Sequence, residues 1–232
     1  MAAVGLSLFL LVSCSADPVT ARLADDPAAQ ALRAADPAAF AALEAHMRAS
    51  APGDDGSTDA FEARLHAYVR TSIVPAYMLL ASDAAIAEHV AVTTMELEEL
   101  RDRSYRRCHA FLYGDASSTL GPLQLAGAIP AGTRLARSRA TARLIESAGS
   151  AEATAEASAV HAALDRSVLP QLPHRYRDRV VRVHDADVRM LDAVTACDVT
   201  IDMYRIVGAL PGPDGPLLRR HFATRDAAPA AE

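Results

Sequence analysis

Between Ile86 and Phe111 the residues suited to a packed interface fall three or four apart without a lapse: Ile86, Val90, Thr93, Leu97, Leu100, Ser104, Cys108 and Phe111. That spacing is the period of an α-helix, which returns side chains to one face every ~3.6 residues. A strand would need alternation, and nowhere in the chain does β-branched alternation last more than a few positions. The spacing predicts one long helix over about 83–113, begun at Ser82-Asp83 and stopped by Gly114. A second stripe runs through Tyr176, Val180, Val183, Asp187, Met190, Leu191, Val194, Cys197, Ile201 and Tyr204. It predicts another long helix over about 174–207, introduced by Pro170 and Pro173 and ended at Gly208. Two such helices must bury their stripes against further helices. The expected fold class is therefore all-α, a helical bundle of four to six helices.

Punctuation divides the rest of the chain. Asp26-Pro27 and Asp36-Pro37 each place an N-cap before a proline suited to the first helical turn. The second of these opens a helix carrying Phe40, Leu43 and Met47, which ends at a Pro/Gly/Asp-rich break over 51–57. Residues 14–57 thus read as a tether and short helical arm, and 58–222 as the bundle domain. Asp59 and Glu62 have capping-box spacing, ahead of a helix with Phe61, Leu65, Val69 and Ile73 that Pro75 ends or kinks. Residues 114–132 hold four Gly and two Pro with no period, and read as a loop or lid. Helices over 133–148 and 151–169 follow. At the C-terminus an amphipathic turn with Leu217, Leu218 and Phe222 precedes a tail, 223–232, expected to be disordered.

Composition narrows the function classes. The chain has 232 residues, 51 of them alanine; all 23 basic residues are Arg against 29 acidic ones, a net charge of −6. That balance excludes a basic nucleic-acid binder. No apolar run reaches the ~18 residues of a membrane-spanning helix.

The N-terminus carries an address. Residues 2–12 are almost continuously apolar, the first charged side chain is Asp17, and the run ends at Leu11-Val12-Ser13-Cys14. This resembles the lipobox of bacterial lipoproteins. The resemblance implies that residues 1–13 are a signal peptide and that the Cys14 thiol is lipidated, anchoring the chain in a membrane. Ser15 in the following position resembles lipoproteins sent to the outer membrane, with the domain facing the periplasm. A competing cleavage pattern, Cys14-Ser15-Ala16, would release the domain free into the periplasm. Lipidation of Cys14 leaves Cys108 and Cys197 as an even pair in an oxidising compartment, and the two are expected to form a disulfide. Cys108 lies 25 residues beyond Asp83 and Cys197 lies 23 beyond His174, so helices begun at those residues would bring the thiols level only if parallel or staggered.

Motifs for chemistry are absent. There is no Glu-x-x-His pair, His-Glu-x-x-His, phosphate-binding glycine loop or Gly-x-Ser-x-Gly elbow, and nothing calls for a cofactor. The best polar cluster is His184 with Asp187, a candidate ligand or metal site beneath the 114–132 loop, because Asp187 interrupts an apolar stripe. Arg134, Arg137, Arg139 and Arg143 have no acid among them before Glu146, and read as an exposed contact surface. The expected role is a membrane-anchored domain that binds another envelope protein; the alternative is a bundle that binds a small ligand or metal.

Overall fold

Capping chemistry sets the first three helices of the computed structural model, which describes residues 17–49, 57–114, 119–149, 157–177 and 192–227. They are α1 (Pro18–Ala24), α2 (Pro27–Ala35) and α3 (Pro37–Ala49). Asp17, Asp26 and Asp36 accept from the backbone N–H groups of Val19, Ala29 and Ala39 at 3.1, 2.9 and 2.9 Å, ahead of a proline that has no N–H to satisfy. These helices do not stand apart as an arm. Leu23, Leu32, Leu43 and Met47 belong to the same buried core as Leu97 and Val207. Ala28 and Ala29 are fully buried, and their small side chains let α2 approach closely enough for the Ala28 N–H to donate to Ser138 Oγ at 3.0 Å.

The next helix, α4 (Thr58–Tyr68), is capped by Ser57, which accepts from the Ala60 N–H at 3.1 Å. Asp59 is therefore not the cap and is left for another partner. A π-helical turn over Val69–Ile73 leads into α5 (Val74–Met78). Pro75 cannot donate a backbone hydrogen bond, and the widened turn carries the chain past it.

Neither expected long helix is continuous. The first divides at Ser104, whose extended backbone (φ −175°, ψ 128°) separates α6 (Asp83–Arg103) from α7 (Tyr105–Tyr113). The stripe hid the break because α7 also packs inward: Cys108 and Phe111 are buried. Part of the stretch read as a loop is α8 (Pro122–Ala126), followed by α9 (Ala131–Glu146), α10 (Ala157–Ser167) and α11 (His174–Arg177). In place of a helix running unbroken to 207, the extended residue Asp192 caps a new one, α12 (Ala193–Ala209), by accepting from the Thr195 N–H at 2.9 Å. Residues 178–191 lie outside the described ones, His184 and Asp187 among them. The chain closes with α13 (Asp214–Ala227), a full helix where a single turn was expected. The architecture is all-α, with no strand among the described residues. No helix among them is long and apolar enough to cross a membrane.

Helix α6 is the centre, packed against α7, α9, α12 and α13. Its partner α12 runs antiparallel: Gly208 lies against Val90, Arg205 donates to Glu98 at 2.7 Å, and Arg101 stands 3.9 Å from Asp198. Cys108 and Cys197 are at disulfide distance, with a Cα–Cα separation of 6.0 Å. Antiparallel packing produces this contact because α12 begins at Ala193. Cys197 is then near the start of its helix, level with the far end of the α6–α7 unit.

The restart at Asp192 also leaves Val194 in the first turn of α12. Ile201 is fully buried, as expected, but Val194 is 47% exposed. Ile201→Asp should therefore unfold the bundle at a cost of several kcal/mol, while Val194→Asp should cost less than about 1 kcal/mol. Urea titrations that placed the two substitutions in the opposite order would refute this assignment of faces.

Candidate functional site

Arg137, expected at the surface, is 1% exposed. It reaches from α9 into a polar seam on α6 made by His89, Thr93 and Glu96, which share one face at i, i+4 and i+7. Its guanidinium forms a fork on the fully buried Glu96 carboxylate, Nε to Oε1 at 2.9 Å and Nη2 to Oε2 at 2.6 Å. Nη2 also donates to Thr93 Oγ1 at 2.8 Å, and Nη1 donates to His89 Nδ1 at 2.6 Å. An arginine cannot accept, so His89 Nδ1 must carry the lone pair and the ring is the Nε2–H tautomer. That proton faces Thr93 Oγ1 at 3.3 Å.

The electrostatics follow from burial and this one cation. Burial, then the charges of Arg137 and Arg70, hold His89 neutral, far below its ordinary range. For Glu96, burial alone pushes upward, but the charge and hydrogen bonds of Arg137 outweigh it and the carboxyl ends below its usual value. His66, from α4, completes the cluster. It is buried, its Nε2 stands 3.4 Å from Glu96 Oε1 outside hydrogen-bond geometry, and its Nδ1 has no partner among the described residues. Burial is the main reason its pKa falls to about 4; Glu96 pulls the other way, and the charges of Arg137, Arg70 and Arg134 reinforce the fall.

A cavity of about 420 Å³ lies against this cluster, walled by residues of α1, α4, the π-helical turn and α9 and by the segment joining α1 to α2. Small-molecule sites span roughly 300–1,000 Å³. Phe61, Leu65, Val69 and Leu135 supply apolar wall, and His66 and Arg137 reach it from the buried cluster. Arg134 is also buried, donating through Nη1 to the Ile129 carbonyl at 2.6 Å and through Nη2 to Asp59 and Glu62. Its Nε is buried with no acceptor. On the α2 side Ser138 donates to Asp26 at 2.7 Å, and burial raises the Asp26 pKa against the pull of Ser138, Ala29 and Ala28.

The sequence-derived sites fare unequally. Of the four arginines read as a contact surface, Arg139 and Arg143 are exposed, whereas Arg134 and Arg137 are inside. The acids that oppose them come from α4 and α6 and are remote in sequence. Of the 114–132 stretch, Ala131 and Gly132 touch this cavity. His184, Asp187 and Cys14 lie outside the described residues. Among the described residues no three His, Cys, Asp or Glu side chains gather closely enough to hold a metal ion. A signal for the missed cluster was present. The buried face of α9 contains Arg134, Arg137, Ser138 and Thr141, so a helix with few large apolar residues had to bury polar ones.

No protein-family model, curated protein or solved structure matches the chain.

Two outcomes follow from the buried pair. Arg137→Ala strands the Glu96 charge and should cost about 3–5 kcal/mol in denaturant unfolding, whereas the double change Arg137→Met with Glu96→Leu should be the less damaging of the two. A loss under about 1 kcal/mol for the single variant would contradict the pairing. The second outcome concerns pH. His66 is neutral when folded down to about pH 4, while the unfolded chain takes up a proton near 6.5. The unfolded state thus binds more protons between those values, so stability is full above about 6.5 and falls as pH drops toward 4. The loss from His66 alone is on the order of 3 kcal/mol. Melting temperatures recorded across this window should decline less steeply for His66→Phe than for the wild type, and equal slopes would remove His66 as a cause.

Proposed function

We propose that this chain is an exported, lipid-anchored receptor domain of the bacterial envelope, held by Cys14 at the outer membrane and facing the periplasm, whose helices bind a small molecule. The cavity between α1, α4 and α9 carries the receptor reading. It has the volume of a small-molecule site and an apolar wall backed by the buried side chains of His66, Arg134 and Arg137. Export is supported from two directions. Leu11-Val12-Ser13-Cys14 resembles a lipobox, and the other two cysteines stand at disulfide distance, a pairing that persists in oxidising compartments. The rival role, docking another envelope protein through the 134–143 face, loses support because Arg134 and Arg137 turn inward.

The two halves of the proposal are tested separately. An alkyne palmitate analogue fed to expressing cells should label the wild type and leave Cys14→Ala unlabelled and soluble; equal labelling would exclude the anchor. For the receptor, 2-naphthol should bind the purified soluble domain with one-to-one stoichiometry in calorimetry. Leu135 is 42% exposed at the cavity wall, so Leu135→Trp should fill the space and abolish binding while leaving the fold intact. Binding that survived this substitution would place the site elsewhere.

A further inference from the structure

The cavity lies close to the residue that would carry the anchor. Three Cα steps separate Cys14 from Asp17, the N-cap of α1, a reach of at most about 11 Å. Arg22, on the cavity wall, is five residues further and about 8 Å along the helix. An anchored Cys14 thus holds this wall within about 20 Å of the bilayer surface. A chain of 232 residues packs into a body on the order of 45 Å across, so the cavity falls in its membrane-side half.

The cavity is open to the surface. Thr58 at the start of α4, and Ala131, Gly132 and Leu135 in the first turns of α9, line it and are exposed. Phe61, Leu65 and Val69, also on its lining, are buried. An apolar chain entering from the exposed side can lie against these three.

The lining charges restrict the other end of the ligand. Arg134 is paired with Asp59 and Glu62, and Arg137 with Glu96. Asp26 accepts from Ser138 and from the Ala29 N–H, and His66 is neutral at pH 7. At the opening α1 contributes one charge of each sign. Asp25 is exposed, and the Arg22 guanidinium carbon stands 5.1 Å from the centre of the Phe61 ring. A head group carrying both charges can turn its anion to Arg22 and its cation to Asp25. A lone anion would meet Asp25 and Glu62, and a lone cation would meet Arg22.

Building on the receptor reading above, we propose that the cavity takes a lysophospholipid, a single-chain zwitterionic amphiphile, from the membrane against which the anchor holds it. The acyl chain lies along Phe61, Leu65 and Val69, and the head group stays at the opening with Arg22 and Asp25. About 420 Å³ is near the small end of ligand sites, room for one chain and not for the paired chains of a bilayer lipid.

Two measurements test it. In the first, the full chain carrying Cys14→Ala is titrated in calorimetry at pH 7 with lauroyl lysophosphatidylethanolamine, laurate and dodecyltrimethylammonium, each below its micelle concentration. The lysophospholipid should bind one-to-one and about fivefold more tightly than either single-charge probe, the advantage of one exposed ion pair. Leu135→Trp should abolish its binding. Equal or tighter binding of laurate or the ammonium probe would overturn the head-group assignment. Binding of 2-naphthol without binding of the lysophospholipid would overturn the lipid proposal and leave the receptor reading intact, whereas binding of neither would remove that reading. In the second, the lipidated chain is placed in phosphatidylethanolamine–phosphatidylglycerol vesicles containing a lipid spin-labelled at its head group. Bimane attached at Leu135→Cys should be quenched at least threefold more than bimane at Asp165→Cys, an exposed position on α10, which packs on α13. Equal or reversed quenching would overturn the membrane-facing placement, and the palmitate labelling of Cys14 reports separately on the anchor.

Discussion

The Arg137–Glu96 pair ties the two halves of the molecule together, and most of the remaining packing around α9 depends on how it is made. Two opposite charges without access to water are costly, and their attraction compensates only where geometry is close and the remaining donors are occupied. Here the fork of Arg137 meets both carboxylate oxygens, and its other N–H groups reach Thr93 and His89. An apolar pair of equal volume could match its stability. What the ion pair adds is registration, because only one rotation and one height of α9 against α6 place these donors on these acceptors. With α9 so fixed, Arg134 is delivered to Asp59 and Glu62 on α4, and Ser138 to Asp26 and the Ala28 N–H at the start of α2. The positions of α2 and α4 against α9 thus descend from one guanidinium.

How legible this was in the sequence depends on whether local chemistry or helix phase carried the information. The caps at Asp26, Asp36 and Ser82 were readable because a cap is a local event, one side chain and one N–H within three residues. The α6 stripe was readable because Ile86, Val90, Leu97 and Leu100 lie within one unbroken helix. Phase failed at the interruptions. Each residue turns a helix by ~100°, so an extended residue at Asp192 discards the alignment counted from His174. Val194, on nearly the same face as Ile201, is exposed because it sits in the first turn of α12, while Cys197 and Ile201 reach the interior. The cysteine contact was expected for sound reasons of compartment and pairing, yet the helix start at Ala193, not a parallel arrangement, is what satisfies its geometry.

The candidate site was opaque for a different reason. A buried arginine is recognisable only with its partner, and Glu96 lies 41 residues from Arg137 with no local sign that the two meet. Read alone, arginines on an Ala-rich helix look solvated. Read with the scarcity of large apolar residues on α9, they are the only side chains long enough to cross from its axis to the acids of α4 and α6. Alanine contributes to the same outcome from the other side. Where α2 meets α9 through Ala28 and Ala29 the α2 backbone comes within hydrogen-bonding range of the Ser138 side chain. Across the cavity Phe61 and Leu65 face α9 through open space. Helices held tightly at one contact and kept apart at another leave a cavity between.

The hydrogen-bond count of the cluster explains why that cavity has polar character on its inner side. A carboxylate offers four acceptor positions. Arg137 uses one on each oxygen of Glu96, and two of its other three protons go to Thr93 and His89. His89 is in turn satisfied at both nitrogens, by Arg137 and Thr93. His66 arrives at the same carboxylate from α4 but stops at 3.4 Å, outside bonding geometry. Its ring, neutral through burial, is left unsaturated, and so is the Arg134 guanidinium, whose terminal nitrogens are engaged while Nε is not. Buried polar atoms left open in an otherwise closed network carry a desolvation cost, which is stability given up where α4 meets the α6–α9 pair.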